Sequence, residues 1–209
     1  MSIIPTIPDT YFAKSSAAIV PIERLSFVDS LDKNKFRLQS RQTMIALSHV
    51  IEEHAATGGP DTVLIAAFQR LSLFAVEASR YRLLAPQFAQ VYVIGVPDVP
   101  FVDMPNVTAV PLDSAWPLVQ EWSVIASGPR ISVALFARDL EGFRHETRSR
   151  SFEGLFTTEV AVVDAAVARL RDALALPARS FERDRQATFR NQMLIKQALA
   201  TRLQSRTTR

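Results

Sequence analysis

This chain predicts an α/β fold, with α+β as the alternative. The expected architecture is a mixed sheet of about six strands, part parallel and part antiparallel, with helices packed on it and a further C-terminal helix. Three observations carry this. Thr62–Phe68 and Val91–Val96 are short Val/Ile-rich runs bounded by turn residues, which suits buried strands. Between them Phe74, Ala78, Tyr81, Leu84 and Ala85 recur at helical spacing, completing a βαβ unit with parallel strands. Later, Trp122–Ala126 and Ile131–Ala137 alternate as strands do and are joined by Ser127-Gly128-Pro129-Arg130, a four-residue hairpin connection.

In chain order, residues 1–37 read as an extended arm broken by Pro5, Pro8 and Pro21, laid on the domain or exchanged with a neighbouring chain. A helix is expected from Ser40, its N-cap, to Ala56, with Met44, Leu47, Val50 and Ile51 as the buried stripe and Gly58-Gly59-Pro60 as its stop. After the βαβ unit, Asn106–Val110 is a short strand placed at an edge by its flanking prolines. It should open the antiparallel part. Ser114–Glu121 reads as a helical turn or loop, and Asp139–Arg150 as a polar segment before a last strand at Ser151–Thr157. Val160, Val163, Val167 and Leu170 mark a helix from Thr158 to Leu174. Past Leu176-Pro177 a final helix is expected from Ser180, its N-cap, to Leu203. The expected division is an arm over 1–37, a domain over 38–176 and a basic amphipathic helix over 177–209.

The same residues carry a family resemblance. Phe68-Gln69-Arg70, then Phe74, Glu77, Arg80-Tyr81 and the run Val91–Asp98, resemble the DICT sensory domain, a bacterial module of diguanylate cyclases and two-component systems. Thr43–Glu53 resembles that family's opening helix. Pro111-Leu112, Glu121-Trp122, Ala137-Arg138-Asp139 and Arg150–Phe156 resemble its later blocks. The likeness runs over about residues 38–175 and rests on the order and spacing of these blocks together. It implies a sensory or signal-relay role, in settings that include light response, and brings with it neither a ligand nor catalytic residues.

Composition narrows the function classes. The chain has 209 residues, is 48% hydrophobic and has no cysteine, which removes disulfide and thiolate chemistry. Its apolar runs fall short of a bilayer span, and the N-terminal residues lack a signal-peptide pattern, so a cytoplasmic protein is expected. The net charge of +3 conceals an asymmetry: residues from Arg179 onward carry +6 and the remainder −3. Dispersed charges without interleaved aromatic residues suit a solvated helix face better than a nucleic-acid surface. No Gly-x-Ser-x-Gly elbow, phosphate-binding loop or Gly-x-Gly-x-x-Gly turn occurs, so no enzymatic activity is expected. His49 and His54 stand about 140° apart on one helix and His145 lies alone, so neither a metal nor another cofactor is expected.

The candidate ligand site is the polar set at the strand ends: Gln69, Arg70, Glu77, Arg80, Tyr81 and Asp98. Carboxyl ends of parallel strands are where α/β folds place ligands. On residue types alone the same residues read better as an internal ion-pair network between helix and sheet, and their place at parallel strand ends keeps the ligand reading open. Arg138-Asp139 joins that crevice if its strand runs parallel to the first two. Trp122 reads as core. Ile195, Leu199 and Leu203 form an apolar stripe on the last helix, which docks on its own domain or on a second subunit, making a homodimer the expected assembly. A small-molecule ligand or a signalling protein is the expected partner.

Overall fold

The computed structural model describes residues 20–142, 150–176 and 181–207. A seven-stranded mixed sheet, ordered β1-β7-β6-β5-β2-β3-β4, forms the middle of three layers. The strands are β1 (Arg37–Ser40), β2 (Val63–Arg70), β3 (Gln90–Val96), β4 (Val107–Pro111), β5 (Glu121–Gly128), β6 (Ile131–Asp139) and β7 (Ser151–Thr157). The helices are α1 (Arg41–Ala55), α2 (Leu71–Leu84), α3 (Val160–Ala173) and α4 (Arg185–Thr207).

Period-two alternation sorts the strand side chains between two cores. Leu64 and Ala66 of β2 and Val124 and Ala126 of β5 face the core under α1, α2 and α4. Val63, Ile65 and Ala67 of β2, with Ile125 of β5, face the core under α3 and the 3-10 turns at Ile22–Arg24 and Val28–Ser30. The expected stripes of α1 and α2 are all buried. The Ser40 hydroxyl caps α1 by accepting from the Thr43 amide at 3.2 Å. From residue 20 onward the N-terminal segment is laid on its own domain, with Leu25, Phe27 and Val28 in the core.

Glu121, at the start of β5, fastens that segment. It is fully buried and accepts from the Ser26 hydroxyl at 2.5 Å and the Phe27 amide at 3.1 Å, with the Val28 amide at 3.4 Å. Burial pushes its carboxyl up to about 7 against the pull of these donors.

The structure departs from the sequence reading in four places. β1 is a seventh strand, antiparallel to β7 at the sheet edge. Its residues are mostly exposed, so no hydrophobic alternation announced it. β4 lies at the expected edge but runs parallel to β3, making the parallel set β2, β3 and β4. Residues 97–106 cross over without a helix. The β5–β6 hairpin turns on Pro129-Arg130 alone, because Ser127 pairs with Ser132 and Gly128 with Ile131. Finally, α4 begins at Arg185. Its cap is Asp184, whose side chain and carbonyl accept from the amides of Ala187 and Thr188, both at 2.9 Å. The expected cap at Ser180 and the boundary at Pro177 lie outside the described residues, as does His145.

α4 packs on its own domain, against α1 and β6. Ile195 and Leu199 are buried in the first core, whereas Leu203 is exposed. Arg183 secures the approach to α4. Its guanidinium donates to the carbonyls of Gly128 and Ile131 at 3.0 and 2.8 Å and to Asp164 at 2.7 Å. The Ile195–Leu199 part of the stripe therefore meets its own domain.

Candidate functional site

The strand ends hold an irregularity the sequence did not announce. Register between β2 and β3 shifts between Ala67 and Gln69, and Gln69 takes φ 66. A left-handed glutamine in a strand costs on the order of 1–3 kcal/mol and persists only where its surroundings over-determine it. Gly95 of β3 makes room: a Cβ there would stand 3.1 Å from the Arg70 carbonyl carbon.

Gln69 is buried at this bulge among partners from distant chain segments. β6 runs in the same direction as β2, two antiparallel steps across the sheet, so Asp139 arrives at the same end. Arg150, just before β7, donates to Gln69 Oε1 at 2.7 Å and forms a close ion pair with Asp139. Gln69 Nε2 lies 3.4 Å from the same carboxylate. The Arg150 guanidinium also sits 5.4 Å from the Phe152 ring centroid. Asp139 thus joins the crevice as its strand direction required. Arg138 instead turns to Asp29 at 2.6 Å.

Glu77, Arg80 and Tyr81 belong to a second cluster, between α2 and α1. The Tyr81 hydroxyl donates to the buried Glu52 carboxylate at 2.6 Å, and Arg80 pairs closely with the same group. His49 Nε2 meets Glu77 at 3.3 Å, and Arg80 reaches Glu77 at 3.8 Å. Burial raises the Glu52 carboxyl, opposed by Arg80 and Tyr81. Burial and then Glu52 raise the Tyr81 hydroxyl well above its ordinary value. Burial, with Arg80 next, lowers the His49 imidazole. This network ties α2 to α1.

Asp98 does a third job. Its carboxylate accepts from the Ser72 amide at 2.9 Å and the Ser72 hydroxyl at 2.6 Å, satisfying the first turn of α2. Burial alone would raise this carboxyl, but the Ser72 hydroxyl and amide hold it below its usual value. Arg70 precedes α2 and contributes a weaker attraction to Asp98.

A cleft of about 90 Å³ lies between the two clusters, lined by Arg41, Ile45, Phe68, Leu73, Val76, Glu77, Trp122 and Arg150. Of the six residues expected to bind ligand, Glu77 lines this cleft. Gln69 backs it through Arg150, Arg80 and Tyr81 stand behind Glu77, and Asp98 borders a shallow proline-rich surface with Pro97, Val99 and Pro100. Trp122 is half-buried rather than pure core: its indole donates to Ser48 at 2.9 Å and its ring meets Phe152 edge-on. Arg41, Arg150 and Glu52 are the members sequence reasoning missed. For Glu52 there was a signal, a carboxylate beside the apolar stripe of α1. Arg41 gave none, and Arg150 stood out only as the first residue of the Arg150–Phe156 block.

Among the described residues no three His, Cys, Asp or Glu side chains gather as a metal set, and no helix is long and apolar enough to cross a membrane. The family model of the sensory domain in diguanylate cyclases and two-component systems matches residues 23–140. No curated protein and no solved structure matches the chain.

Proposed function

This chain belongs to the DICT family of sensory domains, and from that premise we propose that it is a non-catalytic sensory module that binds a small ligand in the cleft beside Trp122 and passes the event to α4. The observation that carries this reading is the position of α1. Arg41 and Ile45 of α1 line the cleft, and the same helix packs against α4. A ligand that shifts α1 changes the surface on which Ile195 and Leu199 rest. Cores are close-packed, so a small displacement is transmitted rather than absorbed. The Glu52–Arg80–Tyr81 network supports the relay by coupling α2 to α1, so both cleft-lining helices move together.

Native mass spectrometry with an absorption spectrum of freshly purified protein tests the reading. A bound small molecule, lost on Trp122→Ala with the fold intact, is the expected result. Binding that Trp122→Ala leaves unaffected places the ligand elsewhere and overturns this site.

A further inference from the structure

Resting on the cleft assigned above, we propose that its ligand carries a compact oxyanion, a carboxylate or a phosphoryl group, seated between Arg41 and Arg150. Three arginines converge at this corner of the fold. Arg41 opens α1, Arg70 ends β2 and Arg150 precedes β7. The Arg41 amide donates to the Arg150 carbonyl at 3.1 Å, so the first turn of α1 and the start of β7 are joined beside the cleft. Arg150 is buried. Its Nη2 is used twice, on Gln69 and Asp139, but its Nε–H has no hydrogen-bond partner among the described residues. That Nε–H is itself enclosed, so the cleft meets Arg150 through the rest of its side chain.

Charge points the same way. Burial first, then Arg41 and Arg70, push Arg150 below its ordinary value, so each of the two cations is felt at Arg150. Asp139 holds Arg150, and Asp98 attracts Arg70 while it caps α2. Glu77 on the far wall is held by His49 and Arg80. An incoming oxyanion meets Arg41 beside Arg150, and arginine is well shaped for carboxylate or phosphate. Size selects the head group. The cleft offers about 90 Å³, less than the roughly 150 Å³ that encloses a benzene molecule, so the oxyanion fits and the rest of the ligand lies toward exposed Val76.

The probes are benzoate, phenyl phosphate and uncharged benzyl alcohol at constant ionic strength. Trp116→Phe leaves Trp122 as the lone tryptophan reporter. Saturable change in Trp122 emission with benzoate or phenyl phosphate, absent with benzyl alcohol, is expected, and the stronger of the two identifies the oxyanion. Arg41→Gln, at a half-exposed position, should weaken binding about tenfold while leaving the thermal midpoint of the free protein nearly unchanged. No saturable response, equal response to benzyl alcohol, or undiminished binding in Arg41→Gln overturns the proposal. A neutral ligand found by native mass spectrometry and lost on Trp122→Ala would overturn it while leaving the sensory cleft standing.

Discussion

Glu121 offers the sharpest energetic test of how this fold is held together. Its folded carboxyl titrates near 7, above the ordinary 4.5, because it is buried under the N-terminal segment. A raised acid binds its proton more tightly when folded, so its contribution to stability is complete below 4.5 and is lost as pH rises through about 7. The rise from 4.5 to about 7, at about 1.4 kcal/mol per pH unit, sets a ceiling of about 3 kcal/mol. The perturbation is Glu121→Gln, which imitates the protonated acid. Its amide nitrogen can donate to the Ser26 oxygen, which already accepts from the Asp29 amide at 3.0 Å, and its oxygen can accept from the Phe27 amide. Only the long contact from Val28 is given up. Wild type and variant should therefore have similar stability in acid, and the variant should gain as pH rises from about 4.5 to about 7, the difference then staying constant above 7. At roughly 2–4 °C per kcal/mol for a chain of this size, the midpoints should diverge by about 6–12 °C. Calorimetric scans across that range decide it. Parallel curves with a constant offset would refute the assignment of the titration to Glu121.

Other consequences are equally direct. Tyr81→Phe removes the hydroxyl from the buried Glu52 carboxylate and should destabilise by about 1.5–3 kcal/mol in urea unfolding, with Arg80→Ala worse at about 3–5 kcal/mol. Asp98→Ala should lose about 1 kcal/mol as a helix cap and fray the first turn of α2 in hydrogen exchange. Ile195→Ala should cost about 2–5 kcal/mol without changing the sedimentation coefficient, because that side chain is buried within its own chain; a shift in association state would contradict this.

Much of this fold is written locally. The α1 stripe, the βαβ unit and the edge position of β4 follow from periodicity and proline placement over a few residues. What stayed hidden depends on partners far away. Gln69 meets Arg150 81 residues on, and Glu121 meets Ser26 95 residues back. No spacing rule joins such pairs. The polar set at the strand ends was visible as residue types, yet its members divide among a bulge, a helix–helix network and a cap. That division depends on which way each backbone turns. The left-handed Gln69 is the clearest case, since a glutamine in an apolar strand carries no mark of a bulge. Gly95 on the neighbouring strand was the nearest thing to one.

The central claim is that an event in the cleft reaches α4 through α1. Amide hydrogen exchange over Arg185–Thr207, read with and without saturating benzoate or phenyl phosphate, tests it most directly. The account predicts altered exchange in α1 and α4 together on binding, with both changes absent in Arg41→Gln. Saturation reported by Trp122 emission with α4 exchange unchanged would contradict it.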